Sequence, residues 1–443
     1  MTTYLLERAW VDGRVRDAVR VDIAGGRFVL VEPGCAEPPT DAEHVAGLSL
    51  PGFANTHSHA FHRALRGRTQ SDRGTFWTWR EQMYAVAGRL DPDSYYGLAR
   101  AVYGEMLAAG YTAVGEFHYL HHQPDGTPYA DPNAMGRALL AAARDAGIRI
   151  TLLDTLYLSS GFGAPPEGVQ RRFDDGTAEA WQDRVAALSV PAGVTGAGDQ
   201  ARIGVAAHSV RAVPVGALKA FTPYVQANVP VHVHLSEQVK ENDDCRAAYG
   251  LTPTGLLAEH GVLGPMTSAV HATHLTADDI RLLGEARAYA SFCPTTERDL
   301  GDGIGPSRRL RDAGAVLTLG SDSHAVIDAF EEMRALEMDE RLATQARGHW
   351  SAAELLAAAS VDGHRSLGFA DAGEIAVGRR ADLVTVDTAS VRTAGTGSDE
   401  HTAVFAAGAA DVTRVVVDGR VAFDGDHRSV GQRLHETIGR IWA

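Results

Sequence analysis

Eight short apolar runs, each closed by polar or charged residues, recur through the middle of the chain at 51–370. They are LSLPGFANTHSH, YTAVGEFHY, IRITLLDTLY, ARIGVAAHSV, VPVHVHLSE, TSAVHATHL, AYASFCPTT and AVLTLGSDSH. Runs this short and this apolar read as buried strands. Ala- and Leu-rich stretches with helical character lie between them, such as SYYGLARAVYGEMLAAG and PNAMGRALLAAARDAG. Strand and helix in strict alternation imply a parallel sheet, and eight such units over about 300 residues suit a closed (β/α)8 barrel. A doubly wound open sheet is the rival architecture, but no GxGxxG follows the first run.

The polar residues closing the runs are His57 and His59; Glu116, His118 and Tyr119; Tyr157; His208 and Arg211; His234 and Glu237; His271 and His274; Thr295 and Glu297; Asp322 and His324. A parallel barrel builds its active site at these C-terminal strand ends. One such residue would mean little; the repetition predicts a site. Residues 159–177 form a long Gly/Pro-rich loop, either a lid over that face or a tolerated insertion.

The two ends of the chain differ from the middle. Residues 1–50 contain RVDIAGGRFVLVEP, with Gly25-Gly26 at a hairpin bend. Residues 371–443 read as short strands too, and VVDGRV near the end echoes WVDGRV near the start. Both ends are therefore expected to build one small β-domain, since domain termini tend to lie close together. The net charge of −15 argues against nucleic acid or an anionic membrane as partner. Three scattered cysteines form no CxxC pair, which fits a reducing cytoplasm. No signal peptide is expected in MTTYLLERAWVDGRV, and no run of about 18 apolar residues exists to span a bilayer.

Side chains two apart on a strand share a face, so His57 and His59 can grip one ion. A lone HxH is more often structural. Joined by His234 and Asp322 from other strand ends, it makes a three-His, one-Asp set suited to zinc or a similar divalent ion with a position left for water. No lysine closes the relevant strands, so one ion per chain is expected. Such an ion lowers the pKa of water from ~15.7 to about 7. Asp322 would take the water proton, Glu237 would carry a proton to a leaving nitrogen, and His271 would polarise the substrate or stabilise the tetrahedral species.

Taken together, the HxH after PGFAN, then HVHLSE, VHATH and TLGSDSHA, resembles the metal-dependent amidohydrolase superfamily, in its deaminase branch. There the barrel is TIM-like, and the two chain ends fold into one β-sandwich domain, here 1–50 with 371–443 around a barrel of 51–370. HSHAFHRALRG, FWTWREQMY and GYTAVGEFHYLHH are further similar to the family of N-formimino-L-glutamate deiminases, which release ammonia from that substrate in histidine degradation. The resemblance implies metal ligands at His57, His59, His234 and Asp322, proton transfer by Glu237 and His271, and substrate contacts from His62, Arg80, Tyr119, His208 and Arg211. It also implies a homodimer.

Two arginines suit a small dicarboxylate, one bidentate fork for each carboxylate. The chain departs from the family pattern at His62, where glutamine is usual, and in a shorter loop between Arg66 and Phe76. His121 and His122 are expected at the surface or behind the site. The rival readings are a deaminase of purine or pterin rings, which would need ring-stacking groups rather than two arginines, and a barrel that binds without turnover, which would need no proton-transfer groups.

Overall fold

The computed structural model describes residues 1–70, 76–188 and 200–443; the shortened loop between Arg66 and Phe76 lies partly outside them. The chain begins with β1 (Thr2–Val11), β2 (Arg14–Ala24), β3 (Arg27–Glu32) and β4 (Glu43–Pro51). Eight strands follow: β5 (Phe53–Ser58), β6 (Tyr111–His118), β7 (Arg149–Leu156), β8 (Ala201–Ala207), β9 (Val231–Leu235), β10 (Thr267–His271), β11 (Tyr289–Phe292) and β12 (Val316–Leu319). It ends with β13 (Leu383–Val386), β14 (Val412–Val417) and β15 (Arg420–Phe423).

β5 to β12 pair in sequence order, all parallel, and every one of the eight apolar runs supplies one of them. Between the first and last strands the ring is nearly closed. There the amides of Ser321 and Asp322 both donate to the His57 carbonyl, and the His59 amide donates to the Asp322 carbonyl. Strand residues are buried on both faces, as expected for strands wrapped by helices. Hydroxyls inside the barrel satisfy one another: Thr56 Oγ1 bonds Ser291 Oγ at 2.7 Å and donates to the Leu319 carbonyl at 2.9 Å. The outer helices begin where the sequence supplies caps. Asp91 accepts the Ser94 amide at 2.8 Å and Pro92 opens the helix Pro92–Ala108.

The terminal strands form a separate seven-stranded mixed sheet in the order β15-β14-β13-β4-β1-β2-β3. The sandwich implied by the resemblance is thus one continuous sheet curled on itself. The Phe28 amide donates to the Arg379 carbonyl and the Ala381 amide to the Gly26 carbonyl, bringing the β3 edge against the segment leading into β13. The echoed DG pairs are both two-residue hairpin turns with left-handed backbone: Asp12-Gly13 at φ 52° and 74°, Asp418-Gly419 at 46° and 74°.

Two expectations change. LSLPGFANTHSH is not one strand: β4 runs to Pro51 in the terminal sheet, and the chain crosses into the barrel at Gly52. A Cβ at Gly52 would lie 2.4 Å from the Thr112 side chain, so only glycine fits this crossing. The C-terminal segment is not all strand either. His427–Trp442 is a helix burying Val430, Leu434 and Ile441, and Trp442 Nε1 donates to the Ala64 carbonyl of the barrel at 2.9 Å. Arg149, at the start of β7, joins barrel to sheet: it is fully buried and forks onto Asp382 with two bonds of 2.7 Å. Among the described residues no helix is long and apolar enough to cross a membrane.

Candidate active site

His57 lies in β5 and His59 follows it, at the entry to a short 3-10 helix (Ala60–Leu65). Their rings meet edge to face with centroids 4.8 Å apart. His234, in β9, brings its Nε2 to 3.0 Å from that of His57 and 3.4 Å from that of His59. Asp322 Oδ1 stands 3.4 Å and 3.3 Å from the same two Nε2 atoms of His57 and His59. The ligand-type atoms of all four residues fall within 4.8 Å of one another, and all four residues are buried.

Hydrogen bonds behind the rings set their tautomers. Nδ1 of His59 lies 2.9 Å from the Phe117 carbonyl, and Nδ1 of His234 lies 2.9 Å from the His208 carbonyl. A carbonyl only accepts, so both Nδ1 atoms carry hydrogen and both Nε2 atoms face the site with lone pairs. Burial holds His57 neutral, lowered to about 4, and lowers His234 well below the usual histidine value. Burial alone would raise Asp322; the imidazoles around it, His57, His59 and His271, outweigh it and hold the carboxyl well below its usual value. Converging lone pairs with a carboxylate at their edge repel unless a cation shares them. The donor set therefore fits one divalent ion with three nitrogens and one oxygen.

His271 closes β10, its Nε2 3.7 Å from Asp322 Oδ2 and its ring stacked 5.6 Å from that of His234. Its Nδ1 lies 3.4 Å from Glu297 Oε1. Burial would lower this imidazole, but the charges of Glu237, Glu297 and Asp322 win and raise it to about 10. Glu297 was visible only as one of the strand-end polar groups; its partnership with His271 depends on a fold that brings β10 and the helix after β11 together. Glu116 is another buried support. It accepts the Ser58 hydroxyl and the Ala60 amide, each at 2.7 Å, fixing the turn that presents His59. Ser236, His271, Ala272, Asp322 and His324 all have left-handed backbone, with φ between 39° and 67°. Such strain costs of order 1–3 kcal/mol per residue and concentrates here at the strand ends that aim the site.

A pocket opens above these groups, with His62, Arg80, Tyr119, His208, Arg211 and Glu237 in its wall. All five expected substrate contacts are therefore brought together. His62 is buried, and its Nε2 bonds Tyr119 Oη at 3.0 Å. Burial lowers His62 and His208 well below the usual histidine range, so both face the pocket neutral.

Other strand-end histidines point elsewhere. His121 and His122 are not at the surface: both are buried behind the site, His121 on His118 and the Thr155 carbonyl, His122 on Asp175. His274 bonds the Asp302 carbonyl at 2.7 Å. The end of the 159–177 loop forms part of the pocket wall. Arg172, fully buried, donates to the carbonyls of Ala87, Leu90 and His122, and Phe173 lines the pocket.

Similarity to known proteins follows the same lines. The model of the amidohydrolase family matches residues 48–422. The chain is 38% identical to the formimidoylglutamate deiminase of Pseudomonas aeruginosa, over 96% of each chain. It is 29% identical to the 8-oxoguanine deaminase of the same species, covering 92% of this chain and 87% of that one. Among solved structures, an amidohydrolase from Brucella melitensis superposes with a TM-score of 0.87 at 32% identity, covering all of both chains. A zinc-bound adenosine deaminase from Xanthomonas campestris shares the fold, with a TM-score of 0.84 at 22% identity over 100% of this chain and 98% of that one.

Proposed function

The chain belongs to the amidohydrolase family and is a metal-dependent hydrolytic deiminase; from that premise we propose that it converts N-formimino-L-glutamate and water to N-formyl-L-glutamate and ammonia. The observation that carries the reading is the pairing of a three-His, one-Asp centre with a pocket that also holds two arginines, Arg80 and Arg211. The substrate has two carboxylates to meet them, whereas a purine ring has none. The 38% identity to a formimidoylglutamate deiminase supports the same choice.

In this reading His57, His59, His234 and Asp322 hold one divalent ion, zinc being the first choice because it suits the donor set and is bound in a protein of the same fold. When bound, the ion activates water at neutral pH. Asp322 accepts the water proton as oxygen bonds to the formimino carbon and the C=N electron pair moves onto nitrogen. His271, held by Glu297, stabilises the tetrahedral species by hydrogen bonding. Glu237 carries the hydroxyl proton of that species to the departing nitrogen, which also receives the proton held by Asp322; the oxygen lone pair forms the C=O bond as the C–N bond breaks, and ammonia leaves. His62, Tyr119 and His208 orient the amino-acid part while Arg80 and Arg211 hold its carboxylates. The same reading makes the protein a homodimeric, cytoplasmic enzyme of histidine degradation, with a barrel of 51–370 and a terminal domain of 1–50 and 371–443.

Ammonia release by zinc-loaded protein tests it. N-formimino-L-glutamate should be turned over with the highest kcat/KM among it, adenosine derivatives and guanine. A higher value on a purine would refute the proposal in favour of the ring deaminase.

A further inference from the structure

Gln170 sits, buried, on the short helix Gly168–Arg172 of the loop after β7. Its side-chain nitrogen lies 3.0 Å from Tyr84 Oη and 3.0 Å from Tyr157 Oη. Its oxygen accepts the Glu167 amide at 3.1 Å. That last bond fixes the sense of the amide, because the flipped form would set its NH2 against a backbone N–H. Both hydrogens of the amide are therefore given to phenol oxygens. Tyr84 Oη also accepts Arg80 Nε at 2.7 Å. With its lone pairs taken by Gln170 and Arg80, Tyr84 has only its O–H left to offer. Tyr157 Oη also accepts from Gln170, so its own O–H is available to donate into the pocket.

Both tyrosines line the pocket, beside Arg80 and Arg211. The result is a patch dominated by donors. A carboxylate, which only accepts, satisfies it. A carboxamide would set its NH2 against an O–H, and a hydroxyl would bring one acceptor oxygen where a carboxylate brings two. We propose that Tyr84 and Tyr157 are substrate-binding residues whose hydroxyls donate to a substrate carboxylate, and that Gln170 is a positioning residue that sets their direction. The inference deepens the dicarboxylate reading above and rests on it for the identity of the substrate.

The test uses zinc-loaded enzyme with Tyr84→Phe, Tyr157→Phe and Gln170→Met. Each phenylalanine variant removes a hydrogen bond to a charged group, so KM for N-formimino-L-glutamate should rise about tenfold to a hundredfold. The turnover number should stay within about threefold, because the chemistry is at the other end of the substrate. The preference for N-formimino-L-glutamate over its side-chain carboxamide analogue should fall with it. Gln170→Met should shift KM and the preference in the same direction, beyond any loss of Tm from its buried hydrogen bonds. A purely structural role would lower Tm or kcat and leave the preference intact, and that outcome overturns the proposal.

Calorimetric binding of N-acetyl-L-glutamate, which needs no turnover, separates the two claims. If wild-type protein releases no ammonia from N-formimino-L-glutamate, the substrate reading falls. If wild type and the two phenylalanine variants bind N-acetyl-L-glutamate equally, or wild type does not bind it, the donor patch falls.

Discussion

Asp382→Asn should cost stability without touching the chemistry. Asp382 and Arg149 are both buried, joined by two bonds of 2.7 Å, and Asp382 Oδ1 also accepts the Asp418 amide at 2.9 Å. Asparagine keeps one acceptor and turns an NH2 group against a guanidinium N–H. Breaking a buried pair from one side costs about 3–5 kcal/mol. Asp418, 3.1 Å from Arg149, offsets part of the lost charge and favours the lower end. At about 2.1 cal/mol/K per residue, 443 residues unfolding together carry about 0.9 kcal/mol/K, so Tm should fall by about 3–5 °C. Differential scanning calorimetry of the metal-loaded protein reads this directly.

The pH dependence has a defined sign. Burial raises Asp382, but the charge of Arg149 outweighs it and holds the carboxyl below its usual value. A depressed carboxylate contributes stability above its unfolded pKa of about 3.9 and loses it as pH falls through the folded value. The gap between wild type and Asp382→Asn should therefore be constant above about pH 4 and close in stronger acid. Arg149→Met with Asp382→Leu should recover most of the loss, since well-packed apolar pairs replace buried ion pairs at little cost. A Tm for Asp382→Asn within 1 °C of wild type, on the order of one kcal/mol here, would refute the reasoning.

Arg211→Ala should raise KM for N-formimino-L-glutamate by about thirtyfold, the worth of a charge-assisted bond in a half-open pocket, and an unchanged kcat/KM would reject its role. Glu297→Gln removes the carboxylate behind His271 and should cut kcat at least about tenfold while KM holds; equal activity would show that His271 needs no such partner. Stripping the ion with a chelator should abolish ammonia release and lower Tm, as the ion binds only the folded site. Metal analysis should find one ion per active chain, and an active preparation with far less would sink the metal-dependent account.

The barrel was legible because its strands are buried on both faces, so each reads as a largely apolar run with polar residues gathered at its end. The expected ligands could be gathered from three places in the chain for the same reason: in a parallel barrel every strand delivers its end to one rim. Where the reading failed, the signal was not local. Nothing in LSLPGFANTHSH marks Gly52 as a crossing; the glycine is required by Thr112, a residue of the neighbouring strand. The helix His427–Trp442 was obscured by the hairpin before it, although Val430, Leu434 and Ile441 keep a helical spacing. His121 and His122, expected at the surface or behind the site, lie behind it, where Asp175 and the Thr155 carbonyl close over them.

By itself, then, the sequence determined the alternation of strand and helix, the rim on which chemistry could sit, and the residue types gathered there, because burial pattern and side-chain chemistry are written residue by residue. Tertiary structure alone decided which nitrogen of His59 and His234 faces the site, which carboxylate stands behind His271, and which way the hydroxyls of Tyr84 and Tyr157 point. Those depend on a carbonyl, a glutamate and an amide contributed by other segments. Hydrogen-bond direction is a property of pairs, and the pairs exist only once the ring has closed.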